Sequence, residues 1–219
     1  MSFIDKKWKM KMFLNYFKKV GFKRVAIMFL GNVFLGMGVS IFKFAHLGND
    51  AYNAMVMALA DCSGIAFGHF YALFSMVFFV LQFIIGRKYI GAGTVVNCFL
   101  NGYITSFWYY IWVNFVPQPN HLAMQIIVML MGIIICGMGV SMYQMPDVGT
   151  SPYDCLSLIL AEKFTKIPYL WWRMMTDAIC ALVAYLVGGL IGIGVLAAAF
   201  GLGPFIAFFN KHLTSKLLK

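Results

Sequence analysis

The chain has 219 residues, of which 62% are hydrophobic, 17% aromatic and only 11% charged. A soluble domain carries about 25% charged residues, and a globule of this size cannot cover its surface with so few. The composition excludes a soluble enzyme, a disordered chain and a nucleic-acid binder that would read bases with its net charge of +10. It points to a polytopic protein of the lipid bilayer, one domain in size.

The first element, residues 1–23, is basic and amphipathic. Lys6, Lys7, Lys9, Lys11, Lys18, Lys19, Lys23 and Arg24 come before the first apolar span, opposed only by Asp5. Ile4, Trp8, Phe13, Tyr16, Phe17 and Val20 interleave with them at helical spacing. This predicts an interfacial helix on anionic lipid, held on the cytoplasmic side during insertion. The lysines, and the lack of a small-residue cleavage site, exclude a cleavable signal peptide.

A hydrocarbon core about 30 Å thick takes roughly 20 helical residues. On that measure six spans are expected, at 24–44, 67–86, 92–116, 122–144, 168–188 and 192–210. No charge occurs between Asp177 and Lys211, and the cluster Gly188, Gly189, Gly192, Gly194 breaks that run in two. Arg87 and Lys88, then Lys163 and Lys166, then Lys211, Lys216 and Lys219 fall in alternate loops. The remaining loops hold no Lys or Arg except Lys43, which can snorkel from a helix end. The pattern predicts a multi-pass protein of the cell membrane with both termini cytoplasmic, residues 211–219 forming a tail.

The chain repeats itself. Gly36-Met37-Gly38-Val39-Ser40 returns 101 residues later as Gly137-Met138-Gly139-Val140-Ser141. In the same register nine of the 25 residues at 36–60 are identical, which divides the chain into units 24–116 and 117–210. Each unit holds three spans, an odd number, so the copies are expected to be inverted, as in many transporters. Duplication of a plain membrane scaffold is the simpler alternative.

Each unit also carries a segment too short to cross, at 50–62 and 151–163. Ser151-Pro152-Tyr153-Asp154 reads as an N-cap, a proline at the first helical position and an acidic third residue. Asp50-Ala51-Tyr52-Asn53 is its cognate. If these half-helices point inward, their N-termini can offer N–H groups and dipole charge to an anion. If they lie at the interface, the same residues are ordinary caps.

Inside the spans, Arg173 and Asp177 sit one helical turn apart. Asp177 reads either as a proton, cation or substrate site tuned by Arg173, or as half of a self-neutralising pair. Asn32, Gln82, Asn97, Asn101 and Gln144 could line a pore or bond helices together. Tyr52, Tyr153, Trp171 and Trp172 could stack on a ring or belong to interface belts. Enzyme chemistry is not expected: Asp61-Cys62-Ser63-Gly64 carries a Ser-Gly without a recognisable nucleophile–base spacing, and there is no HExxH helix. Cys62, Cys98, Cys136, Cys155 and Cys180 show no metal-ligand spacing, so they read as small hydrophobes and no metal or cofactor is expected.

The elements Gly137-x-Gly139, Val148-Gly149-Thr150-Ser151-Pro152-Tyr153-Asp154, Ile191-Gly192-x-Gly194 and Gly203-Pro204 resemble the YczE/YyaS/YitT group of bacterial integral membrane proteins, in particular its YczE-like branch. The resemblance spans about residues 25–210 and implies the multi-pass topology, with transport the suspected role. The matching positions are Gly149, Ser151, Pro152 and Asp154; in the first copy Gly48 and Tyr52 match, while Ala51 and Asn53 replace the proline and the aspartate.

The fold expected is therefore all-α, six transmembrane helices in an inverted repeat of three spans plus a half-helix each. The leading function is a small-solute permease whose substrate is bound by Gly48, Asp50, Tyr52, Asn53, Gly149, Thr150, Ser151, Tyr153, Asp154, Arg173 and Asp177. A passive channel, the substrate-capture subunit of a partnered importer and a non-transport scaffold or assembly factor are the rivals. A partner subunit or a homo-oligomer is compatible with each; a nucleic-acid partner is not expected.

Overall fold

A computed structural model describes residues 20–167, 169–189 and 192–219. The predicted amphipathic segment falls almost wholly outside the described residues. The elements in chain order are α1 (Phe22–Ala45), α2 (Ala51–Ser63), α3 (Phe67–Ile85), a 3-10 turn (Arg87–Tyr89), α4 (Ala92–Phe115), α5 (Leu122–Gln144), α6 (Pro152–Lys163), α7 (Tyr169–Leu186) and α8 (Ile193–Phe209). The described residues contain no strand. The stretch expected as a tail is helical: a π turn (Asn210–Thr214) carries α8 into a last short helix, α9 (Ser215–Leu218). Ser141 on α5 holds that turn through Asn210 Oδ1 at 2.7 Å and Thr214 Oγ1 at 2.6 Å.

The exterior is apolar. Leu73, Val77, Val80 and Ile84 on α3, Ile179 and Leu182 on α7, and Leu196 and Phe200 on α8 are all exposed. The interior is where the polar side chains go: Asn32, Asn97, Asn101, Gln82, Ser141 and Thr105 are buried. A water-soluble fold has the reverse arrangement, and lipid is the solvent that this one suits. Four helices are long and apolar enough to cross a membrane, α1, α3, α5 and the run Ile193–Leu218. The helices α4 and α7 fall below that measure because α4 carries Asn97, Asn101 and Asn114 and α7 carries Arg173 and Asp177.

Helix contacts come in pairs that differ by the 101-residue shift. The longest interface is α1 on α5; α1 packs on α4 as α5 packs on α8, and α2 packs on α7 as α6 packs on α3. Each half-helix thus leans on a long helix of the other unit. Glycines permit the closest approaches. A Cβ at Gly38 would lie 2.7 Å from the Cys136 backbone, and one at Gly139 would lie 2.3 Å from Leu35 N. Side chains larger than hydrogen cannot enter this crossing.

Candidate functional site

The half-helices are positioned by two matching turns. After α1, His46 takes a left-handed conformation at φ 57° and Gly48 follows at φ 103°; after α5, Asp147 takes φ 53° and Gly149 φ 109°. Those angles at positions 48 and 149 are open to glycine and strained for other residues. The start of α4 clamps one turn and the start of α8 the other. Gly93 N donates to Val148 O at 2.9 Å, and Gly194 N donates to Leu47 O at 2.8 Å. Thr150 belongs to this scaffolding: its N–H donates to Tyr89 O at 3.0 Å, and its carbonyl accepts from Thr94 at 2.8 Å and Gln82 at 3.3 Å.

From these turns α2 and α6 start in the interior. Tyr52 and Tyr153, at equivalent places in the first turn of each, stack on one another with ring centroids 4.3 Å apart. Asp50 caps α2 by accepting from Asn53 N at 3.2 Å, and Ser151 caps α6 by accepting from Asp154 N at 3.1 Å. The N-termini are therefore met by the protein's own side chains. Asp50 and Asp154 put carboxylates beside these helix starts, the places that the sequence reading offered either to an anion or to ordinary caps.

Around the paired tyrosines lies a cavity of about 70 Å³, lined by Asp50, Tyr52, Asn53, Tyr71, Asn97, Asn101, Tyr143, Ser151, Tyr153, Asp154 and Arg173, with Leu35, Cys136, Val140 and Leu202. Arg173 is the hub of its ionic side. Its Nη1 donates to Asp154 Oδ1 and its Nε to Asp177 Oδ2 at 3.2 Å, while the guanidinium sits 4.9 Å from the Tyr153 ring centre. Tyr143 OH donates to Asp154 Oδ2, and Gln144 Nε2 donates to the same oxygen at 3.3 Å. Tyr153 OH donates to Asp177 Oδ1 at 2.5 Å. Arg173 and Asp177 are thus not a self-contained pair; they join α7 to the start of α6.

Of the residues expected at the site, Asp50, Tyr52, Asn53, Ser151, Tyr153, Asp154 and Arg173 line the cavity. Asp177 stands behind them, orienting Arg173 and Tyr153. Gly48, Gly149 and Thr150 shape the turns and do not line the cavity. Trp171 is exposed and Trp172 packs on Phe164 at 5.4 Å, away from the cavity. Sequence reasoning missed Tyr71, one aromatic among the many on α3, and Tyr143, the lone aromatic of α5, neither with a spacing signal. Asn97 and Asn101, read as pore lining or helix glue, line the cavity and hydrogen-bond α4 to Asn32 on α1 and Tyr71 on α3. A larger cleft of about 340 Å³ lies beyond the Gly48–Asp50 turn, lined by Lys43, His46, Asn49, Asp61, Cys62 and Gly188 among others.

An apolar shell around a buried polar centre, built on long helices, defines an integral membrane protein. The chain belongs to a family of unknown function, DUF6198, which matches residues 22–211. It is 25% identical over 191 residues to the uncharacterized protein YyaS of Bacillus subtilis (strain 168), covering 85% of this chain and 94% of the relative. It is also 25% identical over 181 residues to the uncharacterized membrane protein YczE of the same organism, covering 82% of each. An uncharacterized protein of Haemophilus influenzae is 22% identical over 188 residues, 86% of this chain and 84% of the relative. No solved structure matches.

Proposed function

We propose that the protein is a transporter for a small solute, a carrier and not an enzyme, with the solute held in the central cavity between two inverted units. The observation that carries this reading is the meeting of two half-helix starts, one from each unit, around one polar cavity. Half-helices that begin at mid-membrane between inverted repeats are a recurrent way to build a solute site. The paired contacts of α4 and α8 with the opposite unit's turn support the inversion. In this reading α4 and α7 also cross, giving six spans, with both termini and the 87–88 loop cytoplasmic and α2 and α6 re-entrant. The cell membrane is the expected location.

Proteoliposomes containing the protein, incubated with a low-molecular-weight cell extract, should accumulate at least one solute that empty vesicles do not, and Asp154→Asn should abolish the accumulation. No accumulated solute at all would favour a scaffold. Single cysteines at Lys88 and Asn120 in a cysteine-free background should label from opposite faces; labelling from one face rules out six spans.

A further inference from the structure

The polar half of the cavity has a direction. Asn32 Nδ2 donates to the Met28 carbonyl at 3.0 Å, and a backbone carbonyl can only accept. Asn32 Oδ1 therefore faces away and accepts from Asn97 Nδ2 at 3.2 Å. Asn97 Oδ1 accepts from Tyr71 OH at 3.3 Å, and the phenol oxygen in turn accepts from Asn101 Nδ2 at 3.3 Å. Each amide is fixed by the one before it. The last oxygen, Asn101 Oδ1, is buried with no partner, on a side chain only 2% exposed. The same logic applies to Asn53, which lines the same cavity and is 6% exposed: its Nδ2 is committed to the Asp50 carboxylate at 2.8 Å, which leaves Asn53 Oδ1 buried and unpartnered.

Two amide oxygens are thus forced to wait for a donor or a cation, and both residues line the cavity. Charge agrees. Asp50 and Asp154 line it and Asp177 stands behind, against one lining guanidinium, Arg173. Arg173 is shared between Asp154 and Asp177, and among the described residues Asp50 has no ion-pair partner. The positive ends of α2 and α6 offset part of this charge, but each already carries its own acidic residue in the first turn or at the cap. A buried carboxylate without an ion-pair partner, beside two amide oxygens without a hydrogen-bond donor, is stabilised by a cation. Among the described residues no three His, Cys, Asp or Glu side chains converge, so the donor set of a transition metal is missing. A cavity of about 70 Å³ holds an alkali ion or an ammonium group with little water, and the Tyr52 and Tyr153 rings at its wall suit a positive charge.

We propose that the cavity binds a small monovalent cation of the alkali-metal or ammonium kind, oxygen-ligated by Asn53, Asn101 and Asp50; as the identity of the solute or of its coupling ion, this rests on the transporter reading above. The test is the thermal unfolding of the purified full-length protein in lithium, sodium, potassium, ammonium or methylammonium chloride, with ionic strength held constant by choline chloride. At least one small cation should raise the midpoint saturably, and choline should not. Asn101→Leu and Asn53→Leu should each weaken the apparent affinity roughly tenfold or more, the loss of one bond to a charged ligand. Tyr71→Phe, which frees the Asn101 amide to turn over, should do so even if the leucine variants fail to fold. Gly203→Ala, whose added Cβ has open space, should leave it unchanged.

Equal midpoints in every salt including choline overturn the inference, as does a midpoint that follows pH alone, which would make the missing partner a proton. A saturable shift that survives all three variants places the ion elsewhere and overturns it too. The two readings fail separately. Accumulation of an anionic or neutral solute without any cation shift leaves the transporter and removes the cation, while a cation shift without accumulation leaves the cation site and removes transport.

Discussion

The two units share a frame and differ in what they put inside it. Met28, Asn32, Asn97 and Asn101 of the first unit correspond, 101 residues on, to Met129, Ile133, Ala198 and Leu202 of the second. The first set is a hydrogen-bonded chain, whereas the second packs as dry core with Val39, Phe42 and Cys136. The ionic side reverses the roles, since Arg173 and Asp177 correspond to Ala72 and Met76. Positions that answer to backbone geometry have stayed the same: Gly48 and Gly149, Gly91 and Gly192, Gly93 and Gly194. Most positions that face the cavity have diverged, the stacked Tyr52 and Tyr153 being an exception. A backbone requirement has few side chains that satisfy it, while a lining position has many, so sequence-matched turn positions stay alike where lining positions drift apart.

If the frame is symmetric, equivalent lesions in it should cost the same. A Cβ at Gly91 would meet Val148 O at 2.2 Å, and one at Gly192 would meet Leu47 O at 2.2 Å. Neither carbonyl can yield without losing its bond to Gly93 or Gly194. Gly91→Ala and Gly192→Ala should each destabilise by at least about 3 kcal/mol, the upper range for overpacking, and abolish monodisperse protein. A large effect at one site with a small effect at the other would break the comparison at its base.

The linings should respond differently. Arg173→Met leaves Asp154 and Asp177 unneutralised and should cost about 3–5 kcal/mol in chemical or thermal unfolding. Adding Asp154→Asn and Asp177→Asn should recover much of that loss, because a buried ion cluster is worth little against neutral packing. On the amide side, Asn97→Ala strands Asn32 Oδ1 and removes the acceptor of Tyr71, for about 1–3 kcal/mol. Replacing the chain as a whole with the second unit's residues, Asn32→Ile with Asn97→Ala and Asn101→Leu, should be milder than that single change, since the second unit already packs this way. The comparison sharpens if the triple variant stays folded and loses its response to small cations.

The frame was largely legible in the sequence and the site only in part. Apolar length placed the long helices to within two residues or so, and Ser151-Pro152 announced the start of α6 because capping chemistry is local. The exchange of half-helices between units was not legible, because it depends on Gly91 and Gly192 touching turns far away in the chain. The direction of the Asn97–Asn101 chain was hidden for a related reason: it is fixed by one carbonyl, Met28 O, whose role shows only when α1, α3 and α4 are packed. The lysine pattern marked Lys88 as a loop charge but gave no sign of its partner.

That partner is the smallest and last difference between the units. At the far end of α6, Lys88 Nζ and Tyr89 OH both lie 2.5 Å from Glu162 Oε1. The corresponding residues at the end of α2 are Gly189 and Asp61, which line the open cleft of about 340 Å³. One end is latched by an ion pair, and the other is held, among the described residues, only by the weak bond from Cys62 Sγ to Val187 O at 3.5 Å. Beneath the latch, Cys155 is buried, and Gly86 is packed so closely that its Cβ would lie 3.1 Å from the Cys155 sulfur; Cys62 at the open end is exposed. A water-soluble maleimide should therefore modify Cys62 quickly and Cys155 slowly, and Glu162→Gln should speed the second reaction several-fold. Stability should hardly change, because the paired side chains are 62% and 50% exposed. The hydrogen bonds from Lys88 and then Tyr89 hold the Glu162 carboxyl below its ordinary range, and the same bond raises Lys88 above its own. A lowered acid contributes above its ordinary pKa and is lost as pH falls through the lowered one; a raised base is lost only as pH rises through the raised one. The latch should consequently stay shut between about pH 5 and 8, with the Cys155 rate flat once normalised to a free thiol, and open in stronger acid or in strong base. Equal rates for Cys62 and Cys155 in the unaltered protein would show that the two ends are alike in solution, and the latch would then be an ordinary surface ion pair.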